Sequence, residues 1–103
     1  MENIQEINLE KRIRSNLTMR YSAKDLFDEL NINASKIIMN FENVEFMSRA
    51  FAQEYVYQKE HSDINIVEKN MSKFIKDMFD LVNNSHNEWI LNMKSNYGLK
   101  IRI

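Results

Sequence analysis

The sequence predicts an α/β domain: a single small, mainly parallel sheet of about four strands with helices packed on it. Three observations predict it. Apolar patterning alternates between strand-like and helix-like periods, in the order strand–helix–strand–helix–strand–helix. The run Ile37, Ile38, Met39 and Phe41 is almost continuously apolar, as a strand buried on both faces requires. At 103 residues the chain has material for one core, since two would each be too small to be stable unaided.

The elements follow in order. Ile4, Ile7 and Leu9 mark a first strand over residues 3–9. The stretch KRIRSNLTMR then brings Lys11, Arg12, Arg14 and Arg20 with no interleaved aromatics, the pattern of a solvated loop or edge strand. Ser22-Ala-Lys-Asp25 has the layout of a capping box. Behind it Ala23, Leu26, Phe27 and Leu30 share one face of a helix of about two and a half turns. Asn31 and Asn33 suit its exit, because Asn tolerates left-handed backbone.

The stretch from Lys36 to Glu60 organises the rest. After the apolar run, Val44 and Phe46 restore a strand alternation that faces the core. Ser48 can accept from the free amides of a helix's first turn. Phe51, Ala52, Tyr55, Val56 and Lys59 then recur on one helical face, with the Lys59 stem laid along apolar surface. The turn at Met47–Ala50 is thus expected at the carboxyl end of a central strand, where open α/β sheets place their sites. Ile64, Ile66 and Val67 form a third strand. Asn70 or Ser72 caps a helix whose apolar face is Met71, Phe74, Ile75, Met78, Leu81 and Val82.

The α/β domain spans residues 1–83. A C-terminal extension, 84–103, packs on it or on a second chain. Trp89, Ile90 and Met93 resume helical spacing there, Gly98 ends that helix, and Leu99–Ile103 alternates as a terminal strand with one basic face.

Composition narrows the function. The formal net charge of −1 calls for neither nucleic acid nor anionic lipid. With no cysteine there are no disulfides and no thiolate metal sites. No window has the apolar length to span a bilayer, and Met1-Glu2-Asn3 does not open a signal peptide; a cytoplasmic location is the expectation. Gly98 is the single glycine, which disfavours a phosphate-cradling loop.

Catalytic sets are poor. His61 and His86 are the only histidines and do not stand at metal-ligand spacing. Ser48, His61 and Asp63 can be written as a nucleophilic set, but no G-x-S-x-G turn activates the serine. His61 better suits a helix end, where a cation favours the dipole. Asp28, Glu29, Asp77 and Asp80 fall on polar helix faces. The methionines fall mostly on apolar faces, whereas Tyr57 lies off the stripe and is open to a partner. Neither catalytic residue, metal nor cofactor is expected.

Residues 39–54, MNFENVEFMSRAFAQE, resemble the signature of the STAS-like family of small domains, in which a strand "Asp-Phe-x-x-Val-x-Phe-Ile" runs into "Ser-Arg-Ser-Phe-Ala-Asp-Glu". They are similar, more distantly, to the STAS domains of anti-sigma-factor antagonists, whose loop "Asp-Ser-Ser-Gly" is phosphorylated on its second serine. Ser48 matches the Asp of that loop, Arg49 its first serine and Ala50 its second. Asn40 and Gln53 each stand where the family has Asp, and Ala50 has no hydroxyl to phosphorylate.

The resemblance, looser over residues 14–82, implies a non-enzymatic regulatory module. It would dock a partner such as a histidine-kinase-type ATPase or an anti-sigma-like factor. Ser48, Arg49, Ala50, Phe51, Gln53, Glu54 and Tyr57 would make the contact. Two further readings come from the residues themselves. One is a structural subunit that homo-oligomerises through the 99–103 strand. The other is a nucleic-acid or nucleotide binder using Lys11–Arg20, Lys100 and Arg102.

Overall fold

The computed structural model describes residues 3–84, and its elements follow one another with short connections. They are β1 (Ile4–Asn8), α1 (Leu9–Arg12), β2 (Asn16–Leu17), α2 (Arg20–Asp28), β3 (Lys36–Asn40), β4 (Phe46–Met47), α3 (Arg49–Glu60) and β5 (Ile66–Lys69). A last helix, α4, is described over residues 73–84. The extension from 85 to 103, with Trp89, Ile90, Met93, Gly98 and the 99–103 strand, lies outside the described residues.

Among the described residues all strand pairs are parallel, but they form two sheets instead of one. β1, β3 and β5 make a three-stranded sheet in that order, and β2 pairs separately with β4. In the larger sheet Gln5, Ile37 and Ile66 form one row, and Ile7, Met39 and Glu68 another on the same face. Ile37 and Met39 are fully buried there. The strand order follows chain order without reversal, so two right-handed crossovers put α2 and α3 on one side of the sheet. Contacts agree: α3 reaches Glu68 of that face through Tyr55 and Lys59, and the Phe27 ring of α2 meets the Tyr55 ring edge-on at 5.2 Å. Phe79 of α4 closes the same layer, 5.1 Å from Tyr55 and 5.8 Å from Phe41.

The expected continuous central strand is broken. β3 ends at Asn40, whose side-chain oxygen accepts from the amide of Glu42 at 2.9 Å. Asn43 then turns the chain with φ of 64°, a conformation Asn tolerates through its short polar side chain. Val44 is buried where it closes the turn on Phe41, outside β4, so it does not set that strand's alternation. In β4, Met47 pairs with Leu17 and is buried with it, while Phe46, expected in the core, is 40% exposed.

Other boundaries shift for similar reasons. α2 begins two residues before Ser22, capped by Met19 without a side-chain bond, so the capping box does not form. Asn31 is not left-handed; its side chain accepts from the Asn33 amide, and the positive φ values belong to Asn43 and Asn70. β5 starts at Ile66, two residues after Ile64. Of the two candidate caps for α4, Ser72 accepts from the Ile75 amide at 3.2 Å. On α4, Ile75 and Val82 are buried, while Phe74 and Leu81 lie on the flank and are exposed. The basic stretch is not plain loop: Leu9 anchors α1, Leu17 anchors β2, and both are fully buried.

Candidate functional site

The start of α3 is where the sequence places its site, and local chemistry builds it. Ser48 has extended backbone and its Oγ accepts from the Phe51 amide at 3.0 Å, satisfying one of the first-turn donors a helix leaves open. Its hydroxyl proton goes to the Thr18 carbonyl at 2.7 Å, and its own amide donates to the Leu17 carbonyl at 2.8 Å. One residue thus ties the helix to the segment around β2. The hydroxyl has no spare donor for chemistry. His61 caps the opposite end of the twelve-residue helix, about 18 Å away along its axis, so Ser48, His61 and Asp63 are not brought together as a nucleophilic set.

Six of the seven predicted contact residues share the solvent side of this turn and helix. Arg49, Gln53 and Tyr57 recur every fourth residue, a spacing that puts them on one stripe. Ala50 and Glu54 run beside them. Arg49 is exposed, Ala50, Gln53 and Glu54 are half-buried, and Tyr57 is 50% exposed. Glu54 accepts from the Gln58 amide group at 2.7 Å. Tyr57 lies against the His61 ring with centroids 4.2 Å apart, and His61 Nδ1 is 2.7 Å from the Tyr57 carbonyl. Phe51 is the exception. It is fully buried and stacks toward Tyr55, so it belongs to the core and not to a docking surface.

Two aromatics that the apolar pattern assigned to the core are exposed instead. Phe46 and Phe74 pack ring to ring at 5.5 Å, both more than a third exposed. The signal for Phe74 is in the spacing: Ile75, Met78 and Val82 define the inward stripe of α4, which leaves Phe74 and Leu81 on its edge.

The carboxyl end of the central strand holds different residues from those expected. The three strands end in register on Asn8, Asn40 and Lys69, with Asn70 following. Asn40 is buried and donates to Glu6 at 3.1 Å, while its oxygen accepts from Asn70 at 3.0 Å. Lys69 Nζ also reaches Glu6 at 3.1 Å. The bond from Lys69, then that from Asn40, holds the Glu6 carboxyl below its ordinary pKa. Glu6, Asn40, Lys69 and Asn70 each find a partner within the cluster. Ser48, placed there by the sequence pattern, starts a helix that follows β4.

A third cluster joins α3 to β5. The buried Tyr55 hydroxyl donates to Glu68 at 2.7 Å, and Lys59 Nζ meets both Glu68 oxygens at 2.9 Å. Burial first, then the Glu68 charge, pushes the Tyr55 phenol well above its usual pKa. These groups open on a cleft of about 580 Å³ shared with Met71, Lys76 and Phe79. A smaller cleft of about 360 Å³ carries Arg12 and Arg14 opposite Asp25 and Glu29, with Arg12 ion-paired to Glu29. Acids from α2 thus offset part of the basic stretch. Among the described residues no group of three or more His, Cys, Asp or Glu side chains could hold a metal ion, and no helix is long and apolar enough to cross a membrane.

Comparison with protein-family models, with curated proteins and with solved structures finds no match to this chain.

Proposed function

We propose that this chain is a non-enzymatic, STAS-like protein-interaction module with a regulatory role. Its partner is a protein of the histidine-kinase-type ATPase or anti-sigma-like class. One observation carries the reading: the outward stripe Arg49, Gln53 and Tyr57 sits on a helix start that Ser48 fixes with three hydrogen bonds, and the exposed Phe46, two residues before Ser48, packs on Phe74. A rigid, mixed aromatic and polar patch with an Arg is what transient protein interfaces use. The parallel sheet with packed helices and the resemblance of residues 39–54 support the class of module. With Ala50 in place of a serine, binding is controlled by competition for the surface and not by phosphate at that position.

The test is affinity for a partner co-purified from the native cell. Arg49→Glu, which puts an acid into a helix's first turn, is expected to weaken that affinity about tenfold or more. Thermal unfolding of the free protein should show the fold retained. Unchanged affinity in both Arg49→Glu and Phe74→Ser would remove the α3 start from the interface and overturn the reading.

A further inference from the structure

The larger sheet has a second face, and among the described residues no helix covers it. Because the strand order never reverses, α2 and α3 lie together on the opposite side. Side chains alternate along each strand, so the open face carries the rows Ile4–Lys36, Glu6–Ile38–Val67 and Asn8–Asn40–Lys69. Ile4 is 45% exposed and Val67 40%, with Ile38 half-buried between the flanking strands. Parallel sheets are ordinarily covered by helices on both faces.

From this we infer that the open face is a docking site for one amphipathic, acidic helix supplied by a partner protein, separate from the surface at the start of α3. Size argues for a single helix. Three strands of about five residues present roughly 14 by 16 Å, which a helix of about eleven residues spans. Charge argues for acid. Lys69 is engaged by Glu6, whereas Lys36 makes no ion pair among the described residues, leaving the face one positive charge in excess. Composition argues against nucleic acid, because no aromatic stands on this face to stack a base.

The probe is a synthetic helical peptide of about fourteen residues, with Leu at i, i+3, i+4 and i+7 and Glu on the flanks. It is titrated into the isotope-labelled full chain and followed by amide chemical shifts. Weak, saturable shifts centred on Ile4, Lys36, Ile38 and Val67 are expected. They should be lost with a Lys-flanked peptide and weakened about tenfold in Val67→Asp or, as an independent exposed site, Ile4→Asp. Several results would overturn the inference: no shifts on this face, shifts centred on Arg49–Tyr57 instead, or tight binding of an RNA oligonucleotide there. So would a chain that sediments as a dimer dissociated by Val67→Asp. Nuclear Overhauser contacts in the free chain between this face and residues 85–103 would overturn it too, since the chain would then cover its own sheet. Loss of partner binding in Arg49→Glu leaves all these readouts unmoved, so the two surfaces are tested apart.

Discussion

Phe46 and Phe51 are the same residue type five positions apart, yet burial gives them opposite energetic weight. Phe51 is fully enclosed against Tyr55, so Phe51→Ala is expected to cost about 3–5 kcal/mol through lost transfer energy and a cavity. Phe46 keeps 40% of its surface in water, and Phe46→Ala should cost only about 1 kcal/mol, a fraction of a full Phe burial. Urea unfolding of the two variants checks this. Comparable losses would mean that Phe46 is enclosed. The spacing of Phe51, Ala52, Tyr55 and Val56 made the inward face of α3 legible from sequence, because a helix repeats its own pattern within a few residues. Phe46 was not legible in the same way. Its orientation depends on the pairing of β4 with β2, which buries Met47 opposite Leu17 and leaves Phe46 on the outer side.

At the scale of elements, Asn40 joins all three strands of the sheet. It sits on β3, donates to Glu6 on β1 and accepts from Asn70 beyond β5. An Asp, the residue the STAS-like pattern places here, would set a carboxylate against Glu6. Asn40→Asp is therefore expected to lower the thermal midpoint by several degrees at neutral pH, and Glu6→Gln to restore it by supplying a donor. The double-mutant cycle measures that coupling; absence of rescue would show that the bond to Glu6 is not what Asn40 provides. The pH dependence follows from the same bonds. Glu6 is held below its ordinary pKa in the fold. Its contribution is present above the unfolded value and is lost as pH falls through the lower, folded one. Wild type should lose stability on acidification through that window, below the usual glutamate range, more steeply than Glu6→Gln. Unfolding midpoints read between about pH 6 and about pH 3 decide it.

For the whole molecule, topology governs how the fold forms. Each parallel pairing joins distant segments, as Ile4 with Lys36 and Ile37 with Ile66 show. Non-local pairing of this kind puts folding on a scale of about milliseconds to seconds. The chain contains no proline, so refolding should lack the phase of tens of seconds that prolyl isomerisation imposes. Stopped-flow and manual-mixing refolding from urea tests this, and a slow phase insensitive to protein concentration would contradict it. The same topology places α2, α3 and α4 on one face of the sheet. The two surfaces proposed for partners are the α3 start and the open sheet face, and neither is a cleft between strands running in reversed order.

What the sequence determined alone is what neighbours within about four residues decide. The Ser48 cap, His61 at the helix end and the inward stripes of α2 and α3 all belong here. So does the α/β class, which needs only the order of periods along the chain. Tertiary structure decided what distant groups do to one another. Asn40 meets Glu6 across 34 positions and Lys69 meets Glu6 across 63, and no local pattern encodes such pairs. The split into a three-stranded sheet and a β2–β4 pair, the outward turn of Phe46, and the open face behind Ile38 arise the same way. Each depends on which strand finds which neighbour, a choice made by packing the whole chain and not by any stretch of it.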